Sequence, residues 1–93
     1  MYRITEYSKD QAEKLGVQIK PSVKKNKKID VIKNGKVVAS IGDKRYMKND
    51  YPNYIKSHGI AYATKRRDLY KMRHKRDIGV KNSPGWYSSL ILW

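Results

Sequence analysis

Two side chains, His58 and His74, carry imidazoles able to move a proton near neutral pH, and neither has the company that a general acid or base requires. His58 stands beside Gly59 at an expected helix break, with no carboxylate near it in sequence to orient it. His74 is embedded in the basic run Arg73-His74-Lys75-Arg76. Cysteine is absent, which excludes thiolate zinc sites and disulfides, and two histidines with scattered aspartates match no metal-ligand spacing. There is no Walker A loop, no G-x-S-x-G and no G-x-G-x-x-G. A metal-dependent nuclease would need clustered carboxylates to hold Mg²⁺, and Asp43, Asp50 and Asp77 could serve only if folding made them converge. The expectation is therefore a protein that is not an enzyme and needs no cofactor.

The chemistry that does recur is cationic. Lysine and arginine number 22 against 8 acidic residues in 93, a formal charge of +14. A small domain with that excess repels itself, and the usual compensation is attraction to a polyanion, with counterion release adding affinity. The charge is uneven: residues 1–43 hold 10 basic and 5 acidic side chains, and residues 44–93 hold 12 and 3.

Residues 44–56 interleave Lys44, Arg45, Lys48 and Lys56 with Tyr46, Tyr51 and Tyr54. A tyrosine offers a π face to a base and a hydroxyl to a phosphate, so this segment is the first candidate for nucleic-acid contact. The competing reading is a small tyrosine core with hydroxyls at its edge, and Tyr2, Tyr62, Tyr70 and Tyr87 fit that better by their spacing. A second candidate is the loop tip Lys24-Lys25-Asn26-Lys27-Lys28.

A third lies on a helix. From Ile60 to about Asp77 there is no Gly or Pro, so this should be the longest helix, with Gly79 just past its end. At about 100° per residue, Tyr62, Ala63, Leu69 and Tyr70 share one broad face. Thr64, Arg67, Lys71 and Lys75 share the opposite one, a stripe suited to a phosphate backbone, and Lys65 and Arg76 belong to the same positive field. Arg66 and Arg73 fall within the apolar face, where an unpaired guanidinium is costly. They must pair with a carboxylate, stack on an aromatic ring, or line a half-covered binding site.

The elements that position these groups are legible in outline. Residues 1–7 alternate as a short strand, and Ser8-Lys9-Asp10-Gln11 reads as a capping box opening a helix to Leu15, closed by Gly16. Pro21 to Lys28 reads as a loop. Ile29–Lys33 and Lys36–Ile41 are β-branched runs joined by Asn34-Gly35, the signature of a type I′ hairpin with a positive tip. Lys44–Lys48 is expected to be a further extended piece. Tyr51-Pro52 opens a helical turn that His58-Gly59 interrupts, and Ser83-Pro84 starts a short C-terminal helix bearing Trp86, Leu90 and Trp93. Neither the N-terminus nor the apolar run Leu90–Trp93 is expected to be a signal peptide or a membrane span.

The segments Tyr51-Pro52-x-Tyr54-Ile55-Lys56-x-His58-Gly59, Arg66-Arg67-x-Leu69-Tyr70-Lys71-x-Arg73-His74 and Ser83-Pro84-Gly85-Trp86-Tyr87, with Leu92-Trp93, resemble a family of short basic proteins. These are encoded by large DNA viruses, chlorella-type and other giant viruses, and by some phages, and their function is uncharacterised. The hairpin and the stretch from Tyr2 to Leu15 are similar to it too. The resemblance brings no catalytic residues. It implies a viral context, in the virion or in the cytoplasm or nucleus of an infected host cell, not a secreted protein.

The reading is of one α+β domain over residues 1–93. A small antiparallel sheet with a central Asn-Gly hairpin packs against a long helix and a short C-terminal helix. The function expected is sequence-nonspecific nucleic-acid binding, DNA ahead of RNA, through Lys/Arg contacts to phosphates. The alternative is a minor capsid or internal virion protein whose partners are acidic or capsid proteins, for which exposed Trp86 and Trp93 would argue.

Overall fold

The structure, a computed structural model, describes residues 2–93. Its first helix, α1 (Glu6–Leu15), is capped by Thr5, whose Oγ1 accepts from the Ser8 N–H at 3.2 Å. The strand expected over residues 1–7 is not there: residues 2–5 are irregular and α1 begins at Glu6, while Met1 lies outside the described residues. The expected capping box does not form because its side chains are used elsewhere. Ser8 Oγ donates to the Ile91 carbonyl at 2.8 Å, and Gln11 Nε2 donates to the Leu90 carbonyl at 2.9 Å. Local capping lost to long-range anchoring.

Strands β1 (Gln18–Pro21), β2 (Ile29–Lys33) and β3 (Lys36–Ile41) form an antiparallel sheet in the order β1-β2-β3. Asn34 and Gly35 take the positive φ values, 54° and 77°, that the tight hairpin demands. β1 was not expected, although Val17-Gln18-Ile19-Lys20 alternates, and it takes in Pro21, where the loop was expected to begin; Pro21 is tolerated because β1 is an edge strand. Val31 faces Ala39 whereas Ile32 faces Val37, so Val38 is an extra residue bulged out of β3. The bulge breaks the alternation, leaving Val37 and Val38 both exposed on the second edge.

Ile29, Val31, Ala39 and Ile41 turn one sheet face inward. They pack with Tyr2, Ala12 and Val17, with Tyr87 and Ile91 of α5 (Pro84–Ile91) and with Leu92 just past its end, so α1 and α5 cover the sheet. On alternation Asp30 and Ser40 point to the other face, where the 22–28 loop folds back over them. Asp30 accepts from Ser22 Oγ at 2.6 Å, Ser40 Oγ at 2.7 Å and the Val23 N–H at 3.4 Å. The buried carboxylate is thus fully served by donors.

After β3 the chain departs from expectation over Lys44–Lys48. Asp43 caps a 3₁₀ turn, Lys44–Tyr46, by accepting from the Arg45 N–H at 2.9 Å, so the segment is wound and not extended. Helix α2 (Tyr51–His58) follows with Asp50 as its N-cap, and Gly59 separates it from α3 (Ile60–Arg73). The long helix breaks at His74, one residue before the short α4 (Lys75–Ile78). α2 and α3 lie against each other around a second core of Tyr51, Tyr54 and Ala63, with Tyr7, Ile55 and Trp93 packed on it. Tyr70 joins α3 to α5 by donating to Ser88 Oγ at 2.9 Å and stacking on Trp93 at 4.6 Å. The architecture is α+β, with a three-stranded antiparallel sheet, a long helix and a short C-terminal helix.

Candidate nucleic-acid interface

The structure sorts the cationic residues into three groups. Lys24, Lys25, Lys27, Lys48, Lys56, Lys65, Lys71, Lys75 and Arg76 are exposed, and Lys44 is half-exposed. Among the described residues none of these has a carboxylate within ion-pair distance, so their charge faces solvent uncompensated. Arg45 is exposed too, but it is committed: its Nε and Nη2 donate to Asp43 at 3.1 and 2.8 Å, and its guanidinium lies 5.6 Å from the Tyr46 ring. The same contacts hold the Asp43 carboxyl down to about 2.

Lys28 belongs to the fold and not to the surface, and Arg67, half-buried, is engaged in packing. Lys28 is 2 % exposed, with Nζ 3.5 Å from Asp50 Oδ2 and 5.1 Å from the Tyr2 ring centre. Its N–H donates to the Ile41 carbonyl at 3.0 Å, which stitches residue 28 to the end of β3 and turns it away from the lysine tip. Burial lowers its pKa and the neighbouring Asp50 opposes that shift. Its ammonium is turned to Asp50 and withdrawn from solvent, although the residue lines the edge of the cleft described below. Arg67 was expected on the outward stripe, yet its guanidinium lies 4.2 Å over the Tyr51 ring, and Tyr51 itself packs at 5.5 Å on Tyr7. A guanidinium lies flat on a ring with little loss of hydration, so this face of α3 packs through an arginine.

The tyrosines of residues 44–56 divide as well. Tyr51 and Tyr54 are buried in the second core, which removes them from base stacking, while Tyr46 remains 52 % exposed. Of the four expected in the core, Tyr2 and Tyr87 are buried, Tyr70 is half-buried and Tyr62 is exposed on α3, stacked at 4.3 Å on His58.

The remaining arginines of α3 define a site. Arg66, Tyr70 and Arg73 follow at i, i+4 and i+7, so they share one stripe of α3. That stripe, α5 and the Gly42–Tyr46 turn enclose a cleft of 520 Å³, a size typical of small-ligand pockets. Lys27 enters from the lysine loop, held against the turn because the Lys44 N–H donates to the Asn26 carbonyl at 3.1 Å. Tyr46, Tyr54, Tyr70 and Trp93 supply aromatic wall. Arg66 has its guanidinium 5.6 Å from the Tyr54 ring, and its Nε is buried with no hydrogen-bond partner among the described residues. His74 packs tilted against Tyr70 at 4.4 Å, with Nδ1 3.5 Å from Asp77 Oδ2. Asp43 is the cleft's one carboxylate, and Arg45 already holds it.

Arginines on an otherwise apolar helix face were the sequence signal for this cleft. What no periodicity could show is that Lys27 and Tyr46 close its other side. Asp43, Asp50 and Asp77 do not converge, and among the described residues no three His, Asp or Glu side chains are placed to hold a metal ion. No helix among them is long and apolar enough to cross a membrane. No protein-family model, curated protein or solved structure matches the chain.

Proposed function

We propose that this protein binds nucleic acid without reading base sequence, DNA ahead of RNA, by setting lysine and arginine side chains against backbone phosphates. One observation carries the reading: the exposed cations outnumber the carboxylates that could neutralise them, and among the described residues only Lys9 and Arg45 of the exposed Lys and Arg side chains are held by an acid. Self-repulsion of that kind is relieved by a phosphate chain, and releasing its condensed counterions supplies the free energy. Lys71, Lys75 and Arg76 continue the field along α3 and α4, and Lys24, Lys25 and Lys27 extend it from the loop. In the setting that the resemblance implies, the nucleic acid is a viral genome.

A purely structural role in a particle would favour tryptophans presented to a neighbour. Trp86 and Trp93 are half-buried and packed on this chain's own core, which favours a domain that folds without a partner. The test is a fluorescence-anisotropy titration of a duplex and its scrambled counterpart at two salt concentrations. Affinity should fall by about 10³-fold between 50 and 200 mM salt if some six phosphates are neutralised, and scrambling should leave it unchanged. Salt-insensitive binding, or none at low salt, rejects the proposal.

A further inference from the structure

Phosphate attraction needs only a convex positive surface, whereas this cleft is concave and aromatic. We propose that the cleft takes one unpaired nucleotide of a nucleic-acid strand, its base against Tyr46 and its phosphate on Arg66 and Arg73. This deepens the phosphate-binding reading and rests on it.

Three features point to such an occupant. The first is Arg66 Nε, a charged donor shielded from solvent with no acceptor among the described residues. Buried donors in folded proteins are almost always satisfied, and a phosphate oxygen is the acceptor that a guanidinium matches best. The second is charge: Lys27, Arg66 and Arg73 face a space whose one carboxylate, Asp43, is bound to Arg45. The third is the wall. Tyr46 is half-exposed, lines the cleft, and is braced by the Arg45 guanidinium at 5.6 Å, so it offers an ordered ring to a base. A duplex keeps its bases stacked and paired and shows phosphates on a convex surface. Only an unpaired base can enter a concave cleft of this kind and stack on its aromatic wall.

The deciding experiment measures anisotropy at low salt with a single strand, its duplex, and a strand of equal length carrying abasic sites, against the native protein, Tyr46→Ala and Arg73→Gln. Both substituted side chains are exposed, so the fold is retained. The single strand should bind about tenfold more tightly than the duplex. Abasic sites and Tyr46→Ala should each remove about that advantage and leave duplex binding alone, while Arg73→Gln should weaken the intact single strand more than the duplex. A nucleoside monophosphate should compete only in large excess; displacement at equal concentration would assign the cleft to a free nucleotide and overturn the strand. Equal, salt-sensitive affinity for all three oligonucleotides would overturn the cleft inference and leave phosphate binding standing. No binding of any at low salt would overturn both.

Discussion

Lys28 Nζ lies 3.5 Å from Asp50 Oδ2, with both side chains withdrawn from solvent. Asp50 also accepts from the Tyr2 hydroxyl at 2.5 Å, from the Asn53 N–H at 3.2 Å and from Asn53 Nδ2 at 2.7 Å. One carboxylate therefore ties the N-terminal segment, the edge of β2 and the start of α2 together. Burial, then Asp50, raises the Tyr2 pKa, so its hydroxyl stays a donor throughout the physiological range.

Replacing Lys28 by methionine leaves the Asp50 carboxylate buried without its cation. The expected loss is about 3–5 kcal/mol, read as a lower urea midpoint. Affinity for nucleic acid, measured well below that midpoint, should be unchanged because the ammonium does not reach solvent. A weakened affinity with unaltered stability would show that Lys28 is a surface contact after all.

Arg67 and Lys71 make a contrasting pair one turn apart on α3. Arg67→Ala removes the guanidinium from the Tyr51 ring and should destabilise the fold by about 1–2 kcal/mol. Lys71→Ala, on an exposed position, should leave stability within about 0.5 kcal/mol and reduce the salt slope of duplex binding by about one. Interchanged results for the two variants would refute this division of labour.

Asp30 supplies an acid-sensitive element. Burial would raise its pKa, but hydrogen bonds from Ser22, Ser40 and the Val23 N–H together outweigh burial and hold it below the ordinary 3.8. The unfolded chain thus takes up this proton before the folded one does. Asp30's contribution to stability is complete above pH 3.8 and is lost as pH falls through the lower folded value. Asp30→Asn should lower stability at neutral pH by about 1–3 kcal/mol and flatten the acid limb of the stability curve. An acid limb identical to that of the native protein would place the titration elsewhere.

Gly42 sits at φ +79°, and a Cβ there would come within 2.8 Å of Lys28 Cδ. Gly42→Ala should cost about 1–3 kcal/mol from backbone strain alone, before any displacement of Lys28 from Asp50. Thermal unfolding is the simplest check, and an unchanged Tm would mean that the turn relaxes freely.

Much of the fold was legible because its signals are local. Asn34-Gly35 dictates a turn whatever surrounds it, Gly59 stops α2, and Ser83-Pro84 starts α5 with the Ser83 hydroxyl accepting from the Trp86 N–H at 3.2 Å. The errors came where tertiary partners decide. Thr5 took the cap because Ser8 is drawn to Ile91, and β1 forms because β2 offers it a ladder. A helical wheel ranks Arg67 as polar and outward, yet cannot know that Tyr51 lies beneath it. It flagged Arg66 and Arg73 because their charge conflicts with their face, and that conflict marks the cleft. Lys28 could not be told from its neighbours in the lysine loop, since Asp50 lies 22 positions further on in the sequence.

The clasp between α1 and α5 bears on how this sequence can drift. Ser8 and Gln11 donate to main-chain carbonyls of Ile91 and Leu90, and a carbonyl is supplied by whatever residue stands there. Substitution at Leu90 leaves its acceptor in place, and at Ile91 only the packing is at stake. The specificity of the clasp is vested in the two donors alone. In divergent copies of this chain, a small hydroxyl residue at position 8 and a long amide at position 11 should persist after the C-terminal side chains have changed.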